Sequence, residues 1–274
     1  MKKFTALLLT ALNMILLCGK ETPVQQMPKT PTLKLSAGEY TLTIWLSRRG
    51  RISGLSYRNN ELFCSSTASA GTDYEPFPKE TLSSLKITID GQVPGKVDPV
   101  VKGSKIIVER SAVYGTINLF SRFELTADGL LWSNRYQIIS ETAKPKYFWL
   151  FTMPWSTGFT EFHAVNKGKI KSGKLTNSAK WLLQSEIEKL VICNPAIKTA
   201  VLIKPLTPIP TDSRRHHSIW DHKAYHKYFL LHKNPEWKQG FTSPEYIIAF
   251  SAKQISPKDT AETLLETDCK NFSK

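Results

Sequence analysis

The chain has 274 residues, 41% of them hydrophobic, and its 37 Lys and Arg against 23 Asp and Glu give a formal net charge of +14. A surplus of this size favours contact with acidic glycans, anionic lipid or nucleic acid, although it also fits a protein from a generally basic proteome. The lysines are scattered rather than gathered into an arginine-rich arm. None of the four cysteines has CxxC spacing, which excludes zinc-thiolate and thioredoxin-type sites.

The first 18 residues are typical of an export signal. Two lysines precede an apolar run over residues 4–17, which is too short for a typical membrane-spanning helix and fits a secretory signal. The run ends in "ILLCG", which is similar to the lipobox of bacterial lipoproteins, where the cysteine is lipidated. The alternative is an ordinary cleaved signal that is discarded together with Cys18. We expect a lipoprotein anchored to the membrane through Cys18, in the bacterial periplasm or outer membrane, without a nucleic-acid partner.

Residues 19–35 are predicted to be a flexible tether, because three prolines among lysines and glutamines cannot form a core. The remaining residues, 36–274, suit one domain, and their number does not require two. Three cysteines remain after export: Cys64, Cys193 and Cys269. One disulfide among them would leave one thiol over, and the sequence does not indicate which pair would form.

Strand-like runs recur along this domain, separated by turn signals. In chain order they are YTLTIWLS, ISGLSY, the run at NNEL, LKITIDG, three strands within KIIVERSAVYGTINLFSRFELTADGLLWSNRYQII, then KYFWLFTMPW, LVICNP, TAVLIKPL and EYIIAFSAKQI. The turns within the long run are expected near Tyr114-Gly115 and at Asp128-Gly129. The stretch AKWLLQSEIEKL fits either a helix or two short strands.

Only the C-terminus is typical of a helix, with Ser256 as its N-cap, Pro257 in its first turn and a stripe containing Leu264 and Leu265. Many short strands with little helix predict an all-β fold. We therefore expect a large antiparallel β-sandwich with a C-terminal helix.

Two segments resemble galactose-mutarotase-like domains: LTIWLSRRGRISGLSYRNNELF, at residues 42–63, and the hairpin RFELTADGLLWSNRYQI, at residues 122–138. The resemblance covers residues 40–255 in outline and implies a supersandwich and a carbohydrate-related function. That superfamily contains aldose epimerases, accessory domains of polysaccharide-active enzymes and periplasmic glucan proteins. True mutarotases carry a histidine in an H-x-[YF]-[FW]-N setting, a second histidine and a late acidic base. Only AYHKYF echoes the first of these, so the resemblance assigns epimerase activity to no residue.

Five of the six histidines lie in RRHHSIWDHKAYHKYFLLH, residues 214–232. As a strand rising about 3.3 Å per residue, this stretch would place His222 and His226 roughly 13 Å apart, too far to share one metal. As a helix it would carry an H-x-x-x-H pair, but Lys223 stands where the zincin signature has glutamate. Its aromatic residues favour a strand, so we predict a strand and no metal site.

One face of that strand would present tryptophan, tyrosine and two histidines, which suits a sugar ring and its hydroxyls. The preceding arginines suit a carboxylate or sulfate on the sugar. The predicted ligand-binding residues are Arg214, Arg215, His217, Trp220, His222, His226, Tyr228 and Trp155. In the alternative interpretation the aromatic residues belong to the core, the histidines bind backbone groups and the arginines are solvated.

Three functional hypotheses follow. The first is an exported protein that binds a saccharide, with an acidic sugar as one option. The second is an epimerase or lyase-like enzyme that uses His222 or His226 together with Glu161, which lies two residues before His163. The third is a structural envelope protein without a small ligand. The sequence contains no phosphate loop, dinucleotide fingerprint or G-x-S-x-G motif, so we predict no cofactor.

Overall fold

The computed structural model describes residues 25–48, 50–68, 71–72, 80–142, 147–156, 158–207, 217–221, 226–233, 236–256 and 258–266. The strands of this part are β1 (Thr32–Ala37), β2 (Tyr40–Trp45), β3 (Arg51–Tyr57), β4 (Asn60–Ala68), β5 (Gly71–Thr72), β6 (Glu80–Ile89), β7 (Val100–Lys102), β8 (Lys105–Tyr114), β9 (Ile117–Thr126), β10 (Gly129–Ile138), β11 (Tyr147–Trp155), β12 (Glu161–Asn166), β13 (Lys169–Lys174), β14 (Lys180–Ser185), β15 (Lys189–Asn194), β16 (Thr199–Pro205), β17 (His217–Asp221), β18 (His226–Lys233) and β19 (Tyr246–Gln254). A 3-10 helix covers Leu46–Arg48, and helix α1 covers Ala261–Glu266.

The strands form two sheets that face each other. The ten-stranded sheet has the order β14-β17-β18-β11-β4-β3-β2-β1-β7, with β5 beside β11. The nine-stranded sheet has the order β13-β12-β15-β16-β19-β10-β9-β8-β6. Neighbours pair antiparallel, apart from the parallel pair β1 and β7. The predicted all-β sandwich with a C-terminal helix is confirmed.

The predicted turns fall where the chain reverses. Strand β8 ends at Tyr114 and β9 starts at Ile117, while β9 ends at Thr126 and β10 starts at Gly129. Gly129 has a φ of 138°, and a Cβ at this position would collide with the Phe250 carbonyl oxygen of β19. Glycine is therefore required for β10 and β19 to lie side by side.

The core lies between the sheets, because alternate side chains of each strand point to the same face. Trp132 on β10 meets Phe151 on β11 edge to face, with ring centroids 5.0 Å apart. Beside it the buried Asn134 side chain accepts hydrogen bonds from Ser121 Oγ (2.7 Å) and Trp132 Nε1 (3.2 Å) and donates to the Leu150 carbonyl oxygen (2.5 Å). This asparagine satisfies buried polar groups and links both sheets.

A charged triad also joins the two sheets. Glu80 at the start of β6 is fully buried and forms ion pairs with Arg51 of β3 and Arg110 of β8. Both arginines are buried as well. The triad therefore connects the ten-stranded sheet, through Arg51, with the nine-stranded sheet.

The chain joins the sandwich earlier than the predicted tether boundary. Thr32–Ala37 forms β1, in which Leu33 and Leu35 are fully buried. Further upstream, Gln25 hydrogen-bonds the Ile87 backbone through both its amide nitrogen (2.9 Å) and its amide oxygen (2.8 Å). The prolines and lysines of this segment outnumber the two alternating leucines, so the sequence pattern did not predict β1, which pairs with β2.

Helix α1 begins later in the chain than its sequence pattern predicted. Its cap is Thr260, whose Oγ1 accepts from the Thr263 backbone N–H (3.4 Å), so the predicted Ser256 cap is wrong. The buried Leu264 and Leu265 cover the outer face of the nine-stranded sheet at a small cluster that includes Cys193.

Cys193 is a free, buried thiol. Its burial raises the pKa of the thiol to about 12, so it stays protonated at neutral pH. Within the described ranges no three histidine, cysteine or acidic side chains gather closely enough to hold a metal ion. None of the helices in the described part of the chain combines the length and apolar character that a membrane crossing needs.

Candidate functional site

The histidine-rich stretch forms a hairpin instead of one continuous strand. Residues 217–221 form β17 and residues 226–233 form β18, and the two strands pair antiparallel. Arg214, Arg215 and His222 lie outside the described residues. Their predicted roles in ligand binding therefore remain predictions.

The chain reversal changes which positions share a face. The register pairs Trp220 with Lys227, Ile219 with Tyr228 and Asp221 with His226. Because cross-strand partners share a face of a sheet, Trp220 takes the register position beside Lys227, and Ile219 that beside Tyr228. The predicted face assumed an unbroken strand, and the ligand-binding roles of Trp220, His226 and Tyr228 remain predictions.

Trp220 lies on the outer face of the ten-stranded sheet, next to a second tryptophan. Trp181 of the edge strand β14 is its register partner, and the two ring centroids are 4.7 Å apart with planes inclined by 58°. Trp181 is 43% exposed, and Trp220 is partly exposed. Two neighbouring aromatic rings that reach the surface make this face a candidate binding surface. We call the two residues the tryptophan pair.

Asp221 holds the chain segment that leads into the tryptophan pair. Its buried carboxylate accepts hydrogen bonds from the backbone N–H groups of Thr176 (3.0 Å), Asn177 (3.1 Å) and Ser178 (2.9 Å), and from Ser178 Oγ (2.8 Å). Burial alone would raise the pKa of this carboxyl, but the hydrogen bonds from Ser178, Thr176 and Asn177 outweigh it and lower the pKa below its usual value. The ionised Asp221 side chain thus fixes the loop 176–178, which ends three residues before Trp181.

Trp155, another predicted ligand-binding residue, lies in the core. It is 1% exposed and pairs in register with Phe63 on one side and His226 on the other. In this structure its ring is not open to a ligand from solution. The described residues therefore bring Trp220 to the surface and leave Trp155 inside.

Glu161 and His226 belong to different sheets. Glu161 lies on β12 of the nine-stranded sheet, on the outer face that it shares with His163. His163 Nδ1 is 2.8 Å from Ser172 Oγ. Burial lowers the pKa of His163, against the opposing effect of Glu161 and Glu262. The hypothesis of an enzyme combines Glu161 with His226. In the structure, the strand of Glu161 and the hairpin of His226 belong to different sheets.

Two residues of this site were not identified from the sequence. Trp181 lies in the stretch that fitted either a helix or two short strands. The pairing of β14 with β17 places it beside Trp220. No local signal identified Asp221, because its hydrogen-bond partners Thr176, Asn177 and Ser178 lie more than 40 residues earlier in the chain.

Two solved structures share this architecture. A galactose mutarotase-like protein from Lactobacillus casei ATCC 334 superposes with a TM-score of 0.51 at 11% identity, covering 81% of this chain and 100% of that chain. The Slr1438 protein from Synechocystis sp. PCC 6803 superposes with a TM-score of 0.50 at 12% identity, covering 83% of this chain and 97% of that chain. No protein-family model and no curated protein sequence matches the chain. At these identities the likeness concerns the fold, and the chain has the galactose-mutarotase-like β-sandwich fold that its sequence motifs predicted.

Proposed function

We propose that this chain is an exported saccharide-binding protein in which sugar rings stack on the tryptophan pair. The observation that carries the proposal is the exposure of Trp181 beside Trp220 on an open sheet face. Stacking on large rigid aromatic side chains supplies contact area at a low cost in conformational entropy. A surface tryptophan without such a role would expose apolar area without benefit.

The surroundings of the tryptophan pair suit a preorganised site. The loop before Trp181 is held by Asp221 through four hydrogen bonds, so little order has to be gained when a ligand binds. Lys180 lies next to Trp181, and Lys227 is the register partner of Trp220. These lysines and the net charge of +14 favour an anionic group on the saccharide.

Replacing either tryptophan with alanine tests the proposal. Trp181→Ala and Trp220→Ala should each weaken binding about fivefold or more, because an aromatic contact contributes about 1 kcal/mol or more. Neutral and uronate-containing oligosaccharides are first screened on a glycan array, and the best binder is then titrated calorimetrically. The matched control is Trp45→Ala, a partly exposed tryptophan on β2 of the same sheet. Unchanged affinity in both variants, or no glycan retained by the wild type, would refute the proposal.

Lipid anchoring through Cys18 is the part of the proposal that concerns localisation. Cys18 lies outside the described residues, and its support is the apolar run that ends in "ILLCG". Metabolic labelling with a palmitate analogue should mark the wild-type protein and leave Cys18→Ser unlabelled. Cys64→Ser is the control and should keep its label. Equal labelling of the wild type and Cys18→Ser would contradict the anchor.

A further inference from the structure

A polar groove crosses the outer face of the nine-stranded sheet, on the side away from the core. Its main cavity has a volume of about 570 Å³ and continues into a smaller one of about 220 Å³. Both volumes share Arg122, Ser133 and Glu245 as lining residues. The main cavity lies within the usual size of small-ligand sites, about 300–1,000 Å³.

The strand register arranges the groove residues in two rows that run across the strands. One row consists of Ser84, Ser111, Phe120 and Arg135, on β6, β8, β9 and β10. The second row consists of Lys86, Glu109, Arg122 and Ser133 on the same four strands. With strands about 4.8 Å apart, each row is roughly 14 Å long. An extended ligand can therefore lie along the rows.

The charged groups of the second row are already compensated. Lys86 Nζ is 3.6 Å from Glu109 Oε2, and Arg122 Nη2 is 2.6 Å from Glu124 Oε2. Ser133 Oγ donates to Glu245 Oε1 over 2.5 Å. These groups provide fixed hydrogen-bonding positions for hydroxyls.

Arg135 is different from the other cations of the groove. Its guanidinium carbon lies 5.1 Å from the centroid of the Phe120 ring, and the ring holds the side chain over the groove floor. Among the described residues, no carboxylate lies within 4.0 Å of its guanidinium nitrogens. In the same row, two and three strands away from Arg135, the hydroxyls of Ser111 and Ser84 are 2.8 Å apart. A guanidinium fork that has no carboxylate partner among the described residues is suited to bind a carboxylate in bidentate geometry.

We infer that this groove is a second ligand site, for an acidic oligosaccharide whose carboxylate binds Arg135 and whose hydroxyls meet the serines. A saccharide fits better than a peptide, because the lining of the main cavity consists almost wholly of hydroxyl-bearing and charged side chains. Phe120 is the sole apolar side chain in the lining of the main cavity, in the part that the structure describes. A peptide would need further apolar pockets for its side chains.

The groove is independent of the tryptophan pair, since the two lie on the outer faces of different sheets. The test uses the full-length double variant Trp181→Ala, Trp220→Ala, in which binding at the tryptophan pair is removed. Trigalacturonate is titrated calorimetrically into this protein, and about one molecule per chain should still bind. Adding Arg135→Gln should lower the affinity at least tenfold. Arg48→Gln, which removes an arginine stacked on Trp45 at 4.2 Å, is the matched control and should leave the affinity unchanged.

Two further probes test the ligand chemistry. The methyl ester of trigalacturonate keeps the hydroxyls and loses the carboxylate charge, so it should bind at least tenfold more weakly. Triglutamate should bind more weakly than trigalacturonate. The inference is overturned if the double variant binds no trigalacturonate, if Arg135→Gln binds it normally, or if the ester or triglutamate binds equally well. A failure of the proposed function has a different outcome: the double variant would then bind all saccharides with the affinity of the wild type.

Discussion

Replacing Glu80 with glutamine is expected to lower the free energy of unfolding by about 3–5 kcal/mol. Glu80 forms ion pairs with both Arg51 and Arg110, and all three side chains are buried. Neutralising it removes the charge that Glu80 supplies to two buried guanidinium groups. Breaking a buried ion pair by removing one partner costs far more than the net gain from the intact pair.

Chemical denaturation followed by tryptophan fluorescence measures this effect. The control is Glu109→Gln, which breaks the half-exposed pair with Lys86 and should cost about 1 kcal/mol or less. If Glu80→Gln does not fold, the triple variant Arg51→Met, Glu80→Leu, Arg110→Met removes the whole triad and should fold, since apolar replacements avoid the desolvation cost. A loss of under about 1 kcal/mol in Glu80→Gln, similar to that in the control, would contradict the prediction.

Replacing Asp221 with asparagine is expected to cost about 1–2 kcal/mol, because at least one half-buried backbone N–H then faces an amide donor instead of a carboxylate oxygen. Asp221 accepts from three consecutive backbone N–H groups, and asparagine has a single acceptor oxygen. The matched control is Asp90→Asn. The Asp90 carboxylate also accepts from two backbone N–H groups, of Ser104 (2.9 Å) and Lys105 (2.8 Å), but it is exposed to solvent. Its loss should cost less.

The contribution of Asp221 should also depend on pH. The folded protein lowers the pKa of this carboxyl, so ionised Asp221 contributes its full stability above the unfolded pKa of about 3.9. As the pH falls below that value towards the folded pKa, the contribution is lost. The difference in unfolding free energy between wild type and Asp221→Asn should therefore be constant from pH 7 to about 5 and shrink below about 4. A difference that stays constant down to pH 3 would show that the charge is not responsible.

The sequence by itself determined the class of fold. Alternating apolar residues and the turn dipeptides Tyr114-Gly115 and Asp128-Gly129 are local signals, and the structure has strands and reversals at those places. Local signals of this kind depend only on residues close in the chain. The signals at the N-terminus predicted export and lipidation in the same way, and these remain predictions.

Only the tertiary structure decided which residues meet at a surface. Strands β17 and β18 pair antiparallel, so Tyr228 takes the register position beside Ile219 and not the one beside Trp220. The local sequence pattern does not show this register. Trp181 reaches Trp220 from a strand some 40 residues earlier, and Phe120 reaches Arg135 across the hairpin that joins β9 to β10. Pairing partners and registers depend on residues distant in sequence, and a shift by one residue exchanges the two faces. For this reason the polar rows of the groove and the tryptophan pair follow from the fold rather than from any motif.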